Sequence, residues 1–143
     1  ARDLFDSEQL LRIPNLDARR LRIAFVVYGA MNRKDWRTVS IGEVDLNAEE
    51  FAVQLIPMLR RNPAQERQNT IDYCERLVKN CRASLSTVLP LSDEELKFLE
   101  LILDRGEVIP SLLTDDVELQ QRILRQPLLE WKAQHVRQHK GRK

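Results

Sequence analysis

Seven apolar residues, Ile71, Cys74, Leu77, Val78, Cys81, Leu85 and Val88, recur at three- and four-residue spacing along one stretch of this chain. That period puts them on one face of an α-helix. The opposite face carries Arg67, Asp72, Glu75, Lys79 and Arg82. A helix so divided must cover its apolar face with other elements, and the rest of the chain points to more helices. Leu, Arg, Glu and Gln dominate, all good helix formers. Only 4 of 143 residues are glycine, and no Asn-Gly or Asp-Gly hairpin turn occurs. The expected fold is all-α, a bundle of about six or seven helices in one domain over 1–143. One short extended segment is expected near 37–41, within "RTVSI".

Local punctuation divides the chain further. A first helix runs from about Arg2 to Ile13 and stops at Pro14-Asn15, because the residue before proline resists helical geometry. Asp17 caps a second helix reaching about Met31, whose centre "IAFVVYGAM" is apolar all round. "LNAEEF" reads as a capping box, Asn47 with Glu50, flanked by a Leu46–Phe51 staple. That helix should reach about Arg61, with a kink or break at Pro57. Asn62-Pro63 opens the long periodic helix, which ends at Leu89-Pro90. "LSDEEL" is a second capping box, Ser92 with Glu95, stapled by Leu91 and Leu96. Its helix stops at Gly106, a left-handed C-cap. Thr114 is expected to cap the next helix, and Pro127 splits the last region in two. The long face from Ile71 to Val88 should pack on the apolar helix around 24–31, with "LKFLELIL" and "PLLEW" closing the core.

Composition excludes several roles. Lys and Arg number 23 against 22 Asp and Glu, a formal charge of +1, so the whole molecule has no drive toward nucleic acid or membrane. No apolar run approaches the roughly 20 residues that span a bilayer, and no signal-peptide core is visible. The expected compartment is the cytoplasm, with no membrane partner. The two cysteines, Cys74 and Cys81, stand seven residues apart on one helix, about 10 Å along its axis. That is too far for a disulfide, so buried reduced thiols are expected.

The opening "ARDLFDSEQLL" holds the sharpest signal. Asp3 and Asp6 are three apart, so both project from one helical face beside Arg2. Carboxylates in that arrangement suit a divalent metal or a basic partner. Acids in a first turn also simply favour the helix dipole. The stretch reads as the inside of an amphipathic helix and suggests the downstream piece of a longer protein.

"RDLFD" followed by "LL" resembles the "RDxYD" segment found late in nucleotidyltransferases of the AbiEii/AbiGii toxin family. The far end, "LLTDDVELQQRILRQPLLEWKAQHVRQH", resembles the C-terminal pattern of a group of the same proteins. The two segments bracket nearly the whole chain. The resemblance implies an α/β catalytic head followed by a helical region, with the acid of the "RD" segment completing the nucleotide site. Carried over, Asp3 is the catalytic acid, with Arg2 and Asp6 in support. It also implies a nucleoside triphosphate and a divalent metal, Mg, for the parent enzyme, and a catalytic head, an antitoxin protein and RNA as partners.

The chain lacks the family's Gly-rich loop, its Asp-x-Asp pair and its upstream lysine. Triphosphate chemistry needs metal ions and a cradle that holds the phosphates in line. This chain alone is therefore expected to be inactive and to hold no cofactor. Arg19 and Arg20 could line a groove for a triphosphate or an RNA end, because guanidinium forks match phosphate oxygens; they also read as an exposed polar face. Lys132 and Arg137, in the basic finish "KAQHVRQHKGRK", are candidates for RNA phosphates and equally for a solvated helix end. Trp131 could stack a base, although a tryptophan beside Leu128 and Leu129 is ordinarily core filler. His135 and His139 stand four apart, a zinc-like spacing, but without the Glu of HExxH or a third ligand. No protein metal site is expected from the sequence. The rival reading is a freestanding helical module that binds a protein partner, with the acids of its opening helix paired locally.

Overall fold

The computed structural model describes residues 2–54, 57 and 66–140, with the side chains of 2, 48, 66–69 and 140 outside that set. Its helices are α1 (Arg2–Leu11), α2 (Ala18–Ala30), α3 (Ala48–Gln54), α4 (Glu66–Leu85), α5 (Asp93–Glu100), α6 (Val117–Leu124) and α7 (Pro127–Lys140). Among the described residues there is no strand, and the all-α expectation holds. The expected extended segment is instead two 3-10 turns, Trp36–Thr38 and Ile41–Glu43, with extended backbone only at Val39 and Ser40 between them. Asp35 decides this locally: its carboxylate accepts from the Arg37 amide and drives the chain into a tight turn. The expected break at Pro57, the cap at Asn62-Pro63 and the end of α3 near Arg61 lie outside the described residues or at their edge.

Contacts divide the chain into two units, each built from two separate segments. The first comprises Ala1–Leu16 and Ser40–Leu89, the second Asp17–Val39 and Pro90–Lys143. The two helices expected to face each other each find partners within their own unit. Helix α4 belongs to the first unit, where it packs on α1 and α3, whereas α2 belongs to the second, where it packs on α5. An apolar face states that it needs cover but not which face covers it.

In the first unit the buried core is Phe51, Cys74 and Leu77, with Leu4, Phe5, Leu46 and Tyr73 packed around it. Phe51 is fully buried, which is worth about 2–3 kcal/mol, and its ring meets Tyr73 at 5.4 Å. The Leu46–Phe51 staple is thus part of the core itself. Asn47 caps α3 by accepting from the Glu49 amide at 2.9 Å. The buried part of the α4 stripe is Cys74, Leu77 and Cys81, while Ile71 at its start is 53% exposed. Both thiols are free, and burial pushes their pKa values up. A raised pKa leaves less thiolate at neutral pH, and thiolate is the reactive form. Both cysteines should therefore react with a thiol reagent much more slowly in the native chain than after denaturation, as a timed labelling assay would show. Rapid labelling of two thiols without denaturant would contradict their burial.

The second unit has the larger core. Ile23, Val26, Val27 and Ala30 of α2 meet Phe98, Leu99 and Ile102, and Ile123, Leu129 and Ala133 close it. Asp17 caps α2 by accepting from the Arg19 and Arg20 amides. Ser92 and Glu95 form the full reciprocal capping box of α5. Glu95 has a second role: its carboxylate accepts from Arg22 Nε at 2.8 Å and Nη2 at 2.6 Å. Those bonds raise the Arg22 pKa still further. Glu95→Ala removes a cap and a largely buried ion pair together, so we expect a loss of about 2 kcal/mol in chemical denaturation. A loss under about 0.5 kcal/mol would mean that the pair behaves as a solvated one.

Helix α5 does not end at Glu100. It continues as a wider π-helical turn, Leu101–Arg105, and stops at Gly106 with φ 68°. The Glu107 amide donates back to the Leu101 carbonyl at 3.1 Å, closing the helix end as the left-handed cap requires. The expected Thr114 cap is corrected. Asp116 caps α6, accepting from the Leu119 amide at 3.1 Å, and buried Thr114 instead accepts from the Asp116 amide at 3.2 Å. A carboxylate directly before the helix outcompetes a hydroxyl two residues further away.

Candidate functional site

Helix α1 separates its residues by face. Leu4, Phe5 and Glu8, spaced one and four apart, turn inward, and Asp3, Asp6 and Ser7 stay exposed. The inward face carries an acid that the sequence reading missed. Glu8 is 2% exposed, and its carboxylate is held by Arg12, by Gln9 Nε2 at 2.8 Å and by Asn80 Nδ2 at 3.5 Å. Around it lies a cleft of about 400 Å³ between α1 and α4, rimmed by Arg12 and Arg76. Arg76 also lies over the Tyr73 ring at 5.9 Å. The signal that could have revealed Glu8 was its four-residue spacing from Arg12, an acid followed by a base on one face.

The predicted acids thus lie on the solvent side of a helix whose other side is anchored. Asp3 and Asp6 are both exposed, and the side chain of Arg2 lies outside the described residues. Among the described residues no group of three or more His, Cys, Asp or Glu side chains could hold a metal ion.

In the second unit, α2 and α6 flank a groove of about 340 Å³. Its floor is apolar, from Ile23, Val27, Leu119 and Ile123. Arg20 and Arg122 stand at its rim with Asp116 and Glu118. Arg20 is anchored loosely, its Nε 3.6 Å from Asp17 Oδ2 with most of the side chain exposed. Tyr28, 64% exposed, adds an aromatic wall. The structure brings Arg20 to this groove and leaves Arg19 exposed on the surface. Arg122 was not anticipated, because it stands in a run of mixed polar residues on α6 that carries no motif.

The cations of α7 have structural attachments. Lys132 Nζ donates to the Asn32 carbonyl at 3.2 Å, and Arg137 Nη1 donates to the Gly106 carbonyl. Trp131 is not core filler: it is 60% exposed and Leu128 is 65% exposed, while Leu129 alone of that group is buried. Residues 141–143, which include Arg142 and Lys143, lie outside the described residues. No helix among the described residues is long and apolar enough to cross a membrane. Comparison with protein-family models, with curated proteins and with solved structures finds no match to this chain.

Proposed function

We propose that this chain serves as the helical C-terminal region of an AbiEii/AbiGii-type nucleotidyltransferase. In that role it braces a catalytic head and offers Asp3 to the nucleotide site. The supporting observation is the division of α1: Leu4, Phe5 and Glu8 fasten one side of the helix, and Asp3 faces outward from the other. A carboxylate on a fastened helix meets an incoming site at fixed geometry, which is where preorganisation contributes to rate. The triphosphate cradle and the ligands for Mg belong to the head, and Asp6 and Arg2 support Asp3. The rim arginines of the α2–α6 groove, Arg20 with Arg122, are suited to phosphates of an RNA acceptor or to an acidic antitoxin segment.

The test uses the enzyme with its head. Asp3→Asn should lower nucleotide transfer by about 100-fold or more, while the helical content stays unchanged because the residue is exposed. Transfer at the wild-type rate would sink the assignment. The 143-residue chain by itself should incorporate no nucleotide.

The apolar floor of the α2–α6 groove favours a second reading, a helical module that binds a protein through this groove. Under it, Arg122→Glu with Tyr28→Ala would abolish partner capture, and Asp3→Asn would change nothing.

A further inference from the structure

Helix α7 carries two exposed imidazoles, His135 and His139, one helical turn apart. Their ring centroids lie 4.1 Å from each other with planes inclined by 58°. A turn earlier, the indole of Trp131 stacks on His135 at 5.2 Å and 18°. The three rings form a column along a solvent-facing side of the helix. In the sequence, histidines four apart are compatible with rings that point away from each other. Here the two rings are side by side, and one is held against an indole.

We propose that His135 and His139 chelate a late first-row divalent cation, Cu²⁺, Ni²⁺ or Zn²⁺, through one nitrogen from each ring. Metal–nitrogen bonds of about 2.0–2.1 Å set the two nitrogens roughly 2.9 Å apart around a square-planar ion and roughly 3.3 Å apart around a tetrahedral one. Rings already in contact reach either spacing by small side-chain rotations, so the chelate requires no backbone movement. Stacking on Trp131 reduces the freedom that His135 loses on binding. The donors are neutral imidazoles, which suit copper, nickel and zinc. Mg²⁺ and Ca²⁺, which prefer oxygen, gain little from them. Among the described residues no third His, Cys, Asp or Glu joins the pair. Water or a donor from another molecule completes the coordination, so the ion is exchangeable. This site is independent of any Mg in a catalytic head.

The experiment titrates the whole chain with Ni²⁺ alone, followed by calorimetry, and with Cu²⁺, followed by tryptophan fluorescence. Saturable binding of one ion per chain is expected near pH 7.5, with affinity ordered copper above nickel and zinc. Mg²⁺ should give no saturable signal. His135→Gln and His139→Gln should each weaken Ni²⁺ binding roughly tenfold or more, and the double variant should abolish it. Trp131→Phe should keep the Ni²⁺ affinity within a few-fold and remove most of the Cu²⁺ quenching. All three positions are exposed, so circular dichroism should show every variant folded. Undiminished Ni²⁺ binding in the double variant, or in either single one, would overturn the proposal. So would a wild-type chain with no saturable binding below the millimolar range.

Discussion

Replacing Gly106 by alanine is expected to destabilise the second unit by about 3–4 kcal/mol and to lower its unfolding temperature on the order of 10 °C. Two causes act together. The backbone at Gly106 is left-handed, φ 68°, which costs a residue with a Cβ about 1–2 kcal/mol. The new Cβ would also collide with the Ala133 carbonyl oxygen of α7 and come within 2.8 Å of Arg137 Cγ. The first obstacle is backbone inside a helix, so relief requires α7 to shift away from the π-helical turn, and Leu129 and Ala133 would leave the core with it. Arg137→Ala measures the side-chain part separately: losing its bond to the Gly106 carbonyl should cost only about 1–2 kcal/mol. If Gly106→Ala cost less than about 1 kcal/mol, the contact between Gly106 and α7 would not hold as described.

Gly29→Ala should carry the next largest penalty, about 2–3 kcal/mol, against the ordinary preference of helices. In an exposed helix interior the same change stabilises by up to about 1 kcal/mol. The sign reverses here because the indole of Trp36 occupies the space a Cβ would take. That ring is confined by Phe25, with centroids 5.1 Å apart. Its buried Nε1 has no hydrogen-bond acceptor among the described residues, so packing rather than polar pairing holds it. A double-mutant cycle isolates the cause. In a Trp36→Ala background, Gly29→Ala should become neutral or stabilising, with a coupling of about 2 kcal/mol or more measured by urea denaturation. Additive effects would show that the glycine is needed for some reason other than the indole.

Both positions show where the sequence stopped being readable. Gly106 was identifiable as a helix stop, because a left-handed cap is a local property of a few residues. Its contact with α7 was not, since Ala133 stands far along the chain and bears no mark of the encounter. Nothing near Gly29 in its apolar segment signals a tryptophan folded back from the next turn. The candidate sites divide in the same way. That Asp3 and Asp6 share one face of a helix was visible in their spacing. Burial of Glu8 and the meeting of Arg20 with Arg122 were not, because each depends on a second helix. The stacked column on α7 was legible only as a spacing.

The residues by themselves determined the helical class and most helix ends. Asp17, Asn47, the Ser92–Glu95 box, Gly106 and Pro127 each act through hydrogen bonds or steric limits within about four positions, so their neighbours suffice. Tertiary structure alone decided that α4 covers itself with α1 and α3 while α2 joins α5, that Trp131 stays in solvent, and that the chain forms two units, each built from two separate segments. Burial of apolar area is non-directional. A hydrophobic face specifies that it must be covered, and shape complementarity between distant segments selects the partner.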